Sequence, residues 1–220
     1  MPENLSNLAI GRALRGLLYP AVYIWYFNRR STKDYYFSFI KEMPMPYARV
    51  VPRSAEMVKF IKVDEKFILE NGPMEIIEPV WYTGNIDEGE AQYKKSLEAF
   101  SREQRYIFAI LWYSAEVNNG GHDQFFTNST GLVRKDALEG FQVLGLDEAA
   151  KNLAASAEKL GGQPSLDYDT RQQQLEDFEP DFDEQDNLFY EIEGQIDERM
   201  IQFIRENASA FFFEGKVRVD

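Results

Sequence analysis

Apolar residues along this chain recur mostly at helical spacing. Tyr106, Ile107, Ile110, Leu111, Tyr113 and Val117 form a stripe wide enough to predict a central helix from residue 101. Ser101 and Gln104 frame its start as a capping box, one side chain reaching each way. Asn118-Asn119-Gly120-Gly121 predicts its end, because these residues tolerate the left-handed backbone that closes helices. A short helix is expected over 122–128, pinned by Phe125 and Phe126, with a turn at 128–131. Ala137, Leu138, Phe141 and Leu144 mark the next helix. Leu146, Ala149, Ala150, Leu153, Ala157 and Leu160 mark another, stopped by Gly-Gly-Gln-Pro at 161–164. Thr170 to Gln173 offers a second capping box. The longest helix spans about 185–207, with Phe189, Ile192, Ile196, Met200, Phe203 and Ile204 along one face.

The N-terminal third is less regular. Stretches around 4–18 and 20–41 read as helical, and three prolines within 44–52 then favour an extended linker. The expected division is a basic, aromatic-rich helical appendage over 1–53 and an acidic helical domain over 54–220. Residues 54–70 fit either a helix capped by Ser54 or a short strand through Glu-Met-Val-Lys-Phe-Ile-Lys-Val. Asn-Gly-Pro at 71–73 signals a turn, Ile-Ile-Glu-Pro-Val-Trp-Tyr-Thr-Gly reads as an extended loop, and Asp87 with Glu90 predicts a helix start for 88–99. The fold class expected is all-α, a multi-helix domain with an N-terminal appendage and a short irregular or extended stretch near 62–86.

Leu-Leu-Tyr-Pro-Ala-Val-Tyr-Ile-Trp-Tyr-Phe at 17–27 is about half the ~20 residues that a spanning helix needs, and Pro20 interrupts it. Asn-Arg-Arg-Ser follows where a signal cleavage site would need small residues. A helix buried against the body is expected, with no membrane span.

Composition narrows the chemistry. The 220 residues contain no cysteine, which excludes disulfides, thiol catalysis and cysteine zinc sites and suits a reducing cytosol. With one histidine, any metal site would rest on oxygen ligands. EF-hand registers fail: counting from Asp181 puts Asp186 at the glycine position and Ile192 at the glutamate, and counting from Asp177 puts Phe182 and Leu188 there. No metal or cofactor is expected. The net charge is −13, unevenly spread: residues 1–62 carry ten Lys/Arg against four Asp/Glu, and residues 63–220 fourteen against thirty-three. Such a body repels nucleic acid and anionic membrane and attracts basic proteins in a salt-sensitive way.

The one histidine sits in Glu-Val-Asn-Asn-Gly-Gly-His-Asp-Gln-Phe-Phe-Thr-Asn-Ser-Thr-Gly, 116–131. His122 and Asp123 are neighbours in sequence, so on a helix they point about 100° apart and make no catalytic pair. Neither Ser129 nor Thr130 sits in a nucleophile elbow, Glu116 with His122 does not reproduce HExxH, and the phosphate-loop pattern is absent. A structural reading accounts for more of the letters: Asn118, Asn119, Asp123, Gln124 and Asn128 would serve backbone groups left open by a tight reversal.

Gln-Arg-Tyr-Ile-Phe-Ala-Ile-Leu-Trp-Tyr-Ser-Ala-Glu and the Asn-Asn-Gly-Gly-His-Asp-Gln-Phe-Phe run that follows resemble the hallmark segment of the neisserial DNA-mimic protein family. The likeness covers about residues 75–213. The resemblance implies a largely helical, homodimeric, cytoplasmic bacterial protein that is not an enzyme. It also implies a partner of the kind the family is named for: a basic protein, such as a transcription regulator, whose DNA-binding surface is occupied by carboxylates. Asn118, Asn119, Gly120, Gly121, His122, Asp123, Gln124, Phe125, Phe126 and Asn128 then identify the family as structural motif residues.

The densest acid lies in 175–199, with Arg199 its one basic residue. Glu176, Asp177, Glu179, Asp181, Asp183, Glu184, Asp186, Glu191, Glu193, Asp197 and Glu198 are the expected partner-binding residues, anchored by Phe178, Phe182, Leu188 and Phe189. Two other uses of the chain stand beside this one: an immunity-type protein neutralising a basic toxin, and a hydrolase-like enzyme with a polar cleft at 118–128. A further expectation is that the basic segment docks on the acidic body and tunes access to it.

Overall fold

Two short strands tie the described ends of the chain together. The computed structural model describes residues 58–219. Strand β1 (Val58–Val63) pairs antiparallel with β2 (Phe213–Arg218), Val58 opposite Arg218 and Val63 opposite Phe213. Ile61, Val63 and Val217 face inward and are buried, while Val58 and Phe60 stay exposed. The described part of the ambiguous segment 54–70 thus resolves as a strand over Val58–Val63 followed by a short helix over Glu65–Glu70. The expected helices at 4–18 and 20–41, the Ser54 cap and the linker at 43–53 lie outside the described residues.

Between the strands the chain is helical. Asp64 caps α1 (Glu65–Glu70) by accepting from the Phe67 N–H at 3.0 Å. Helices α2 (Pro73–Ile76) and α3 (Glu78–Thr83) follow, each with proline in its first turn, where the missing N–H costs nothing. The segment read as an extended loop is therefore two helical pieces. Proline marked the start of α3 rather than a break, and the burial of Ile77, Val80 and Trp81 supplies what local propensity lacked. Helix α4 (Glu90–Ser96) starts at Gly89 with no side-chain cap; Asp87 instead accepts from the Ser129 hydroxyl at 2.8 Å.

Helix α5 (Arg102–Thr127) is the centre of the molecule. Its capping box forms as expected, with both Ser101–Gln104 bonds made. Nearly every position from Tyr106 to Tyr113 is buried. Trp112 stacks on Trp81 at 4.5 Å between ring centroids, and Tyr113 meets Phe125, Phe141 and Phe189 edge-on at 5.1–5.5 Å. Each such pair adds about 0.5–1.5 kcal/mol beyond its buried area.

A 3-10 turn (Ser129–Val133) leads into α6 (Arg134–Val143) and α7 (Asp147–Glu158). Gly161 and Gly162, both at positive φ, close α7 as the sequence predicts. Helix α8 (Tyr168–Phe178) begins three residues before the expected capping box. Asp167 is its cap, accepting from both the Thr170 N–H and the Thr170 hydroxyl. Helix α9 (Asp183–Glu206) packs on α5 and α7 through the six apolar residues named from the sequence, all of them buried. The described residues are thus overwhelmingly helical, with one small sheet. None of their helices is long and apolar enough to cross a membrane.

Candidate partner-binding face

The Asn-Asn-Gly-Gly motif bends α5 instead of ending it outright. Gly120 (φ −156°) and Gly121 (φ +73°) leave helical geometry, and the helix resumes through Thr127. Gly121 is fixed twice over. Its φ disfavours any side chain, and an added Cβ would lie 2.2 Å from an Asp186 carboxylate oxygen.

Asp186 closes this break. One carboxylate oxygen accepts from the His122 backbone N–H at 2.8 Å and from the ring Nδ1 at 2.5 Å. A carboxylate only accepts, so Nδ1 carries a hydrogen and the ring is oriented by both neighbours. On its far side, Nε2 lies 2.8 Å from the Tyr113 hydroxyl. Burial alone would raise the Asp186 pKa, but the ring and backbone bonds from His122, with the ring's charge, outweigh it and hold the carboxylate below its ordinary value. Burial first, then the Asp186 charge, pushes the Tyr113 hydroxyl well up.

The neighbouring turns of α9 repeat the pattern. Tyr190 donates its hydroxyl to the Val117 carbonyl at 3.1 Å, and Glu193 accepts from Asn118 Nδ2 at 2.5 Å. Asp186, Tyr190 and Glu193 stand four and three residues apart, so one edge of α9 clasps the break in α5. Two of the eleven acids expected to face a partner are therefore turned to the protein itself.

The motif's amides also differ from expectation. Gln124 and Asn128 donate to the buried Glu116 carboxylate at 2.6 and 2.9 Å, and Asn119 donates to Gln124 at 2.9 Å. Asn128 further passes its carbonyl to Arg171, a buried cation, at 2.9 Å. Glu116 and Arg171, one charge of each sign, are thus joined through Asn128. Gly131 makes room for this, since a Cβ there would lie 2.7 Å from Arg171 Nε. The side chains around which the alternative, an enzymatic cleft, would form are engaged elsewhere or turned apart. His122 is fully buried, Gln124 is engaged by Glu116, and Asp123 points to solvent. Arg171 went unnoticed in the sequence, because nothing in its local pattern distinguishes a buried arginine from a surface one.

Nine acids of 175–199 remain outward. Glu176, Asp177, Glu179, Asp181, Asp183, Glu184, Glu191, Asp197 and Glu198 are all exposed. Among the described residues, no lysine or arginine lies within 4.0 Å of their carboxylates: Arg199 pairs with Glu206, and Lys159 reaches the Asp181 backbone carbonyl. Asp197 is exposed as a residue, yet the protein around its carboxyl and the Glu193 charge one turn earlier push it up to about 6. Phe182 and Phe189 anchor the segment as expected, and Leu188 is half-buried. Phe178 differs: it lies against Gly161 but stays 53% exposed.

The family model for the DMP19-like protein matches residues 98–207, half of the chain. The chain belongs to the DMP19-like family. The match runs from the capping box of α5 through the Gly-Gly break to the end of α9, so the DMP19-like region contains both halves of the clasp and the whole acidic segment. No curated protein and no solved structure matches the chain.

Proposed function

We propose that this DMP19-like protein is a non-enzymatic acidic binding protein that occupies the DNA-reading surface of a basic protein, such as a transcription regulator. The carrying observation is the run of nine exposed acidic residues, five of them on the helix α9 that the Asp186–Tyr190–Glu193 clasp holds, with no lysine or arginine against their carboxylates among the described residues. Rigid placement reduces the ordering cost of association.

Spacing supports the reading. Glu184, Glu191 and Glu198 are seven residues apart on α9, so their axial separation is about 10.5 Å. Three phosphate steps along one DNA strand cover about 10.2 Å. The row drifts only about 20° per seven residues around the helix.

Two residues of the segment break local rules with no packing reward. Glu179 adopts φ +41° at the C-cap of α8, a place where glycine is favoured. Gly194 stands mid-helix, where an added Cβ would meet nothing within 4 Å. Glycine there costs about 0.5–1 kcal/mol relative to alanine. A carboxylate kept where glycine would be easier, and a bare backbone kept between Glu191 and Glu198, both fit a surface that a partner approaches closely.

The test is capture of proteins from bacterial extract on the immobilised chain at low and high salt, followed by competition of each captured protein against duplex DNA. Salt-sensitive capture of a DNA-binding protein, with DNA and the chain excluding one another, is expected. Partners that bind the chain and DNA together count against the proposal. A secreted or nuclease toxin as the main captured partner would favour the immunity reading.

A further inference from the structure

A second candidate site shares no residue with the acidic face. A cleft of about 280 Å³ opens between the turn that precedes α4, the 3-10 turn after α5, and the start of α8. Its apolar lining includes Ile86 and Leu132, both buried, and its polar lining includes Arg171. The volume lies just below the range of about 300–1,000 Å³ typical of small-molecule sites.

Arg171 is 1% exposed and its donors go to carbonyls. Nε donates to Phe126 at 2.7 Å, Nη1 to Ser165 at 2.8 Å and Leu166 at 3.4 Å, and Nη2 to Asn128 at 2.9 Å. A guanidinium has five N–H groups, so one hydrogen of Nη2 has no acceptor among the described residues. No carboxylate there pairs directly with this cation, although burying an unpaired charge is costly. Around the same cleft stand Asp87, Glu90 and Asp167. Glu90 is tied to Lys94 at 2.6 Å, and Asp167 caps α8 through one oxygen, leaving its second oxygen without a bond among the described residues.

A simple anion is drawn to Arg171 and repelled by the three acids; a simple cation meets the reverse. A molecule with both charges a few bonds apart satisfies both poles. We propose that this cleft binds a small zwitterion of the α-amino-acid type, its carboxylate on Arg171 and its ammonium on the acidic side at Asp167.

Titration of the full chain with free amino acids of small and medium size, followed by calorimetry and amide chemical shifts, tests this. At least one is expected to bind with Kd near or below about 1 mM, shifting amides around residues 86–90 and 165–171. N-acetylation or methyl esterification of that amino acid each removes one charge and should weaken binding about tenfold or more, the equivalent of one charge-assisted hydrogen bond. Asp167→Asn keeps a competent helix cap while removing the charge, and should weaken binding several-fold with the melting temperature unchanged. Absence of any amino-acid response up to about 10 mM, equal binding of the blocked derivatives, or full affinity in Asp167→Asn overturns the assignment.

Discussion

A single oxygen of Asp186 holds His122 by both its backbone N–H and its ring, 64 residues away in sequence. The contact joins the break in α5 to the N-terminal turn of α9, and it fixes the helix that carries most of the exposed carboxylates. Asp186→Ala leaves two buried donors open, and hydrogen bonds to charged groups contribute about 1.5–3 kcal/mol each. Urea unfolding should show a loss of about 2–4 kcal/mol. The Asp186 pKa is held below its unfolded value, so its contribution is present above the unfolded pKa and is lost as pH falls through the folded one. The wild type should therefore lose its advantage over Asp186→Ala in strongly acidic solution. An unchanged difference down to the acid transition would contradict this.

Gly121→Ala and Gly194→Ala should move stability in opposite directions. The first meets both φ +73° and the Asp186 carboxylate at 2.2 Å, and is expected to destabilise by about 2 kcal/mol or more. The second is expected to stabilise by about 0.5–1 kcal/mol, since nothing lies within 4 Å. Glu179→Gly should stabilise similarly through its left-handed backbone. If Gly194 and Glu179 serve a partner, both stabilised variants bind it less well. Retained affinity would leave those two residues without the proposed role.

Asp197 supplies a pH test. Its pKa is raised to about 6 by burial and by Glu193, so ionising it favours the unfolded chain. The stability it contributes is full below the unfolded carboxylate value and disappears as pH rises through about 6. Asp197→Asn should thus raise the melting temperature at pH 7–8 and have little effect near pH 4. A constant difference across that range would sink the assignment.

Much of the helical frame was legible because amphipathic spacing and caps are local signals. The Ser101–Gln104 box, the Gly161-Gly162 stop and the buried face from Phe189 to Ile204 needed no knowledge of distant residues. Where long-range contacts decide, the sequence was mute. Proline in Glu78–Thr83 reads as a loop marker until the burial of Val80 and Trp81 is known, and β1 has no recognisable partner until β2 lies beside it. The acidic segment was visible as composition. The inward turn of Asp186 and Glu193, beside Glu184, Glu191 and Glu198 that face solvent, depends on the phase of α9 against α5, which no local pattern records.

The most direct measurement is displacement of labelled duplex DNA from a captured DNA-binding partner, read by fluorescence anisotropy, with the wild type beside Glu184→Gln/Glu191→Gln/Glu198→Gln. The wild type is expected to release the DNA at low salt and to lose that power as salt rises. The triple variant, equally folded, should need at least about tenfold more protein. Equal displacement by the two proteins, or displacement indifferent to salt, would contradict a carboxylate row standing in for phosphates.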